Sequence, residues 1–145
     1  MKQLLVFGLS LEETAKLHGH KGPWLVLGYR AGRRARELLK PVSEHDLYCI
    51  VYVPLNTPYT CIIDGVQGSA SCTLGKRNIE VKESSVDNIR IVFINRRTSR
   101  KLEMKLKKNV AEKIEKLYEK YGLNRVAEWV KGEKLCNLFE EKLYG

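Results

Sequence analysis

Apolar positions fall at helical spacing between residues 10 and 39, run unbroken near residue 50, cluster in strand-length runs to about residue 107, and then return to helical spacing. Ser10-Leu11-Glu12-Glu13 has the form of a capping box, serine at the N-cap and glutamate at the third helical position, and predicts a short helix ending near His18. Gly22-Pro23 starts a second helix, with proline where its missing N–H costs nothing. Trp24, Leu27, Gly28, Ala31, Ala35 and Leu38 share a face of it, and the small members of that face admit close approach by a neighbour. The run 47–53 predicts a strand covered on both faces, which puts Cys49 in the core. Asn56-Thr57-Pro58 repeats the helix-start signal for a helix over 59–67 that stops at Gly68 and carries Cys61, Asp64 and Gly65 on one face. Three strands are predicted over 79–83, 88–95 and 99–107. Beyond them Val110, Ile114, Leu117, Tyr118 and Tyr121 form a helical stripe stopped by Gly122, and 123–131 and 134–143 read as two further helices.

This order predicts an α+β protein: two N-terminal helices, a strand, a helix, then three strands in a mixed sheet with helices packed on it. The division expected is a core over 1–107 and a helical C-terminal extension over 108–145 that packs on the core or on a second subunit. A hydrophobic content of 43% in 145 residues is ample for one packed core. The net charge of +9 is concentrated in the last third of the chain, where residues 96–145 carry 14 basic and 8 acidic side chains, a net +6. Its Lys and Glu are interleaved, so the tail reads as solvated helix faces rather than a nucleic-acid surface, and the same charge richness suits a heat-adapted protein. The apolar stretch 4–9 is followed at once by Glu12 and Glu13 and lacks a small-residue cleavage site, unlike a signal peptide, and no run is long enough to span a membrane. Four cysteines without a dense regular spacing fit reduced thiols in a cytoplasm.

Soft-ligand chemistry gathers in three short clusters: His18-Gly19-His20-Lys21-Gly22-Pro23, Cys61-Ile62-Ile63-Asp64-Gly65 and Cys72-Thr73-Leu74-Gly75-Lys76. Imidazoles, thiols and a carboxylate are the donors zinc takes, but no tight pair of the zinc-finger kind is present, so the fold must bring them together. The candidate ligands are His18, His20, Cys61, Cys72 and Asp64. Lys21, Lys76 and the start of the second helix at Gly22 are candidates for an anionic ligand, since a helix N-terminus offers free N–H groups. No nucleotide-binding motif is present.

The ordered set His18-Gly19-His20 with Pro23, Leu27-Gly28-Tyr29-Arg30-Ala31-Gly32, Cys61 to Gln67, and Cys72-Thr73-Leu74-Gly75-Lys76-Arg77-Asn78 resembles the E-type subunit of formylmethanofuran dehydrogenase across roughly residues 10–106. The resemblance implies an α+β fold, a homodimer, a metal (usually zinc) near these histidines and cysteines, and membership of a larger archaeal redox complex that fixes carbon dioxide onto methanofuran. Two departures stand out. The family typically carries cysteine before the proline of the first motif and glycine after it, where this chain has Gly22 and Trp24, and the cysteine-rich ribbon that ends many members is replaced by a tail with one cysteine. Two function classes follow. One is a zinc-binding protein serving one-carbon or small anionic-substrate chemistry. The other is a non-catalytic assembly module with a degenerate metal site, docking a protein partner through its helical tail or nucleic acid through Arg96, Arg97, Arg100, Lys101, Lys105, Lys107 and Lys108.

Overall fold

The structure, a computed structural model, describes residues 8–145. Most of the apolar stretch 4–9 lies outside the described residues. Helix α1 (Leu11–His18) opens with the expected capping box: Ser10 Oγ accepts the Glu13 N–H at 3.0 Å, and Glu13 Oε1 accepts the Ser10 N–H at 2.8 Å. It ends at Gly19, whose left-handed backbone (φ 118°) reverses the chain and returns an N–H to the Ala15 carbonyl. Helix α2 (Pro23–Leu39) has proline at its first position and Gly22 at its N-cap.

Next come β1 (Leu47–Val53), α3 (Cys61–Ala70), β2 (Ile79–Glu83), β3 (Arg90–Asn95) and β4 (Lys101–Leu106), then α4 (Lys108–Tyr121), α5 (Leu123–Gly132), the single turn α6 (Leu135–Leu138) and β5 (Phe139–Tyr144). The architecture is α+β with a five-stranded mixed sheet ordered β2-β1-β3-β4-β5. The β1–β2 pair is parallel and crosses over through α3, while the other pairs are antiparallel.

The sheet buries one face. Leu47, Cys49, Val51 and Val53 of β1 point into the core with Ile91 and Phe93 of β3 and Leu102 and Met104 of β4. Strand β1 is thus not covered on both sides as its apolar run suggests. Tyr48, Ile50 and Tyr52 on the other face are half-buried, and Arg90 and Arg96 lie over the Tyr52 and Tyr48 rings at 3.7 and 5.5 Å. Stacked guanidinium groups and the Tyr48 hydroxyl, which donates to Glu80, let a run of this composition tolerate solvent on one side.

Helices α2 and α3 touch backbone to backbone. A Cβ on Gly28 would overlap the Ile62 carbonyl, and one on Gly65 would overlap the Leu25 carbonyl. The small-residue face of α2 is therefore a contact face, and it brings the first turn of α2 and the first turn of α3 to the same edge of the core.

The end of the chain differs from the helix expected over 134–143. After one turn at Leu135–Leu138 the chain becomes β5, which pairs with β4 from Lys101↔Tyr144 to Leu106↔Phe139. Arg34 of α2 holds this strand through paired bonds to Glu141, at 2.6 and 3.2 Å. Only Phe139 of β5 is buried, so its six residues carry no strand alternation, and pairing with a distant partner decides the conformation.

Candidate functional site

The turn Gly19-His20-Lys21-Gly22 between α1 and α2 sets the His18 and His20 rings 4.8 Å apart, centre to centre. His18 is fixed from behind. Its Nδ1–H donates to Asp64 Oδ2 at 2.6 Å, and Asp64, in the first turn of α3, is itself held by the Gln67 amide, which donates to Oδ1 at 3.1 Å. Because a carboxylate only accepts, Nδ1 carries the proton. The other ring nitrogen, Nε2, is buried and has no hydrogen-bond partner among the described residues. An imidazole anchored through Nδ1 by a carboxylate, with Nε2 left over, is how metal-ligating or proton-accepting histidines are held.

Both histidines line a cavity of about 570 Å³. Gly22, Pro23, Trp24 and Leu25 of the α2 start, with Thr57, Pro58 and Cys61, make one wall. The opposite wall comes from the C-terminal tail: Ala111, Ile114, Glu115 and Tyr118 of α4, and Leu123 at the start of α5. No part of the sequence motif signals this wall. The apolar stripe of α4 is visible from its spacing, but which surface it covers is a tertiary fact. Trp24 packs edge-on against Tyr59, at 5.0 Å between ring centres, and fixes the wall beside Pro58.

The predicted ligands divide. His18, His20 and Cys61 line the cavity, and Asp64 stands behind His18 as its anchor. Burial, with the Asp64 charge adding to it, pushes the Cys61 thiol above its ordinary range. Cys72 is elsewhere. It is fully buried under β1, its thiol directed at the Leu47 carbonyl at 3.5 Å, and burial pushes it up to about 12, as expected of a small core residue. Its loop still reaches the site, through backbone: the Leu74 N–H donates to Gln67 Oε1 at 3.0 Å, and Gln67 in turn holds Asp64. Asn78 shapes that loop from within, accepting the Thr73 N–H and donating to the Leu47 carbonyl. Gln67 and Asn78 are the supporting residues that residue chemistry alone overlooks, since amides carry no ligand signature.

Of the residues proposed for an anion, Gly22 alone lines the cavity. Lys21 bridges Glu128 at 3.3 Å and Glu12 at 3.4 Å, and these carboxylates hold it above its ordinary range. Lys76 bonds Thr73 Oγ1 at 2.9 Å and borders a separate surface hollow with Leu17 and Leu74. Cys49 is buried in the core and Cys136 is exposed.

In donor type the wall fits zinc: two imidazoles, one with a buried unpartnered nitrogen, and one thiol. It does not form a ready-made cage, because among the described residues no three His, Cys, Asp or Glu side chains are grouped to hold an ion. Among the described residues no helix is long and apolar enough to cross a membrane. Comparison with curated proteins gives no match. A family model does match, over residues 17–143, from the histidine pair through the α4 wall to β5; its description is FmdE, Molybdenum formylmethanofuran dehydrogenase operon, and the chain belongs to that family.

Proposed function

We propose that this chain is a subunit or companion of formylmethanofuran dehydrogenase that binds one zinc ion at His18, His20 and Cys61 and uses it in one-carbon chemistry. The observation that carries the proposal is the His18 ring, with Nδ1 tied to Asp64 and Nε2 buried without a partner beside His20. Three protein donors would leave a fourth position for water or a substrate oxygen, and a bound zinc would lower the pKa of that water toward about 7 or polarise a carbonyl. The same reading carries a homodimeric, cytoplasmic protein.

Metal content of protein purified without added metal or histidine tag, followed by zinc titration, tests it. Wild type is expected to carry or take up one zinc per chain at neutral pH and to release it in acid, as imidazoles and thiol protonate. His18→Ala and Cys61→Ser should each abolish tight uptake. Wild type that takes up no zinc overturns the reading. The alternative, an assembly module with a degenerate site, is supported by the lack of a three-donor cluster among the described residues and by the exposed Tyr118 and Tyr121 on the tail. Under that reading the tail docks a partner subunit.

A further inference from the structure

The sheet buries one face in the core, and its other face carries a pattern of rings and cations that the histidine cavity does not use. Strand register sets Tyr48, Ile94, Lys101 and Tyr144 side by side in one row across β1, β3, β4 and β5, and Tyr52, Arg90 and Lys105 side by side in another. At the usual strand spacing Tyr144 stands roughly 14 Å from Tyr48, and four residues along β1 set Tyr52 roughly 13 Å from it. Each ring has a cation over it: Arg96 on Tyr48 at 5.5 Å, Arg90 on Tyr52 at 3.7 Å and Lys101 on Tyr144 at 4.7 Å. The charge is one-sided. Glu80 and Glu103 are taken by Lys82 and Arg90, whereas Arg96, Lys101, Lys105 and Lys142 have no carboxylate partner among the described residues. Of the basic residues singled out in the sequence, Arg97 is paired with Asp46 and Arg100 donates to the Leu38 carbonyl. The face thus retains Arg96, Lys101 and Lys105 and gains Lys142 from β5.

We infer that this open sheet face binds single-stranded nucleic acid, its unpaired cations meeting phosphates and its tyrosine–cation stacks receiving bases. The inference is independent of the zinc reading, since none of these residues lines the cavity. Ring faces and guanidinium planes stack on any base, and a flat sheet suits unpaired bases splayed out upon it. A duplex fits poorly, because its major groove admits a helix or a two-stranded ribbon and not a five-stranded sheet. A second copy stacked on this face would set like charge against like, which disfavours association. An acidic protein would satisfy the cations but would give the three rings no flat partner.

Fluorescence anisotropy of a labelled oligouridylate of about twelve nucleotides, titrated with the full-length protein, tests this. Four cations on phosphates predict that log affinity falls with log salt at a slope of about −2.8, a loss of about fiftyfold between about 50 and about 200 mM salt. The double variant Lys101→Gln, Lys105→Gln should bind more weakly and make that slope shallower by about 1.4. Tyr144 is 40% exposed at the end of β5, and Tyr144→Ala should lose roughly tenfold in affinity with the slope unchanged. Removing the same charge elsewhere, with Lys116→Gln and Lys131→Gln on α4 and α5, should leave binding as it was. Urea unfolding midpoints check that each variant folds. No binding at the lower salt, or an equal loss from the α4 and α5 pair, would overturn the inference. So would an unchanged Tyr144→Ala, or more effective competition by duplex or by poly-glutamate than by unlabelled single strand. A dimer in sedimentation that Val92→Lys, in the middle of the face, converts to monomer would assign the face to a second copy and overturn it as well.

Discussion

Gln67 accepts the Leu74 N–H at 3.0 Å, and this one bond joins the loop after Cys72 to the histidine pair, because the same amide donates to Asp64 and Asp64 holds His18. Three sequence motifs separated along the chain thus meet in a single hydrogen-bonded line. The third contributes a backbone N–H rather than its thiol.

That line predicts a graded effect on metal affinity. Asp64→Asn keeps the shape but removes the charge that fixes the His18 tautomer, and zinc affinity should fall about 10- to 100-fold, the usual cost of losing an outer-shell carboxylate. Gln67→Ala should cost less, a few-fold, since Asp64 retains His18. Competition titration against a chromophoric chelator measures both, and equal affinities in wild type and Asp64→Asn would refute the anchoring role.

The four thiols should separate by reactivity. Cys136 is exposed and should alkylate first. Cys61 has a pKa raised by burial and by Asp64, so less of it is thiolate at neutral pH than of a free cysteine, and its rate should keep climbing at pH values where an ordinary thiol has levelled off. Zinc should protect it. Cys49 and Cys72 should react only on unfolding, since both are fully buried and burial raises both. Mass-resolved alkylation between about pH 7 and 10, the range that brackets an ordinary thiol, gives the order, and labelling of Cys72 in folded protein would contradict its placement.

Adding a methyl group at two helical glycines should have opposite signs. Gly28→Ala drives a Cβ into the Ile62 carbonyl, so α2 and α3 must separate; a loss of roughly 3 kcal/mol or more, or failure to fold, is expected. Gly132 ends α5 with no atom within 4 Å of an added Cβ, so Gly132→Ala should stabilise by about 0.5 kcal/mol. Urea denaturation distinguishes them, and a neutral Gly28→Ala would mean the helices are not in backbone contact.

Gly22→Cys should strengthen zinc binding. The φ of Gly22 is −115°, open to any residue, and an added Cβ would lie 3.5 Å from His20 Nε2 and 3.3 Å from Leu123 Cδ1. Leu123 must yield by a few tenths of an ångström, and the new thiol then joins His20. At least about a tenfold gain in affinity is expected from one more thiolate donor. No gain would mean that the ion, if bound, sits away from the α2 start.

Much of the N-terminal half was legible from local rules. The capping box at Ser10, the Gly22-Pro23 start, the small face at Gly28, the burial of Cys49 and the strand at Ile79–Glu83 each rest on a few neighbouring residues, and local rules see those. The helix expected over 59–67 is also present, displaced to Cys61–Ala70. What escaped depends on distant partners. Cys61 and Cys72 are equivalent as sequence, and only the packing of α3 on α2 puts one in the cavity wall and the other under β1. Residues 139–144 resemble a polar helix until β4 offers an edge and Arg34 a counter-charge. Lys21 looked free because the carboxylates that claim it come from other elements, Glu12 from α1 and Glu128 from the distant α5.

The late position of α4 and α5 in the chain sets a schedule for making the site. Helices α4 and α5 leave the sheet at Leu106 and are returned to it at Phe139, so the wall they form is a loop held by the sheet at both ends and by α2 across its middle, where Arg30 donates to the Val130 and Glu133 carbonyls. A growing polypeptide emerging from the ribosome can fold α1 through β4 and bring His18 to Asp64, but it holds an open half-site until α4 and α5 have been translated and can pack on α2. Ligand capture is thereby deferred until the tail helices have emerged, and a product of premature termination before Lys108 would keep the histidines while lacking their opposite wall.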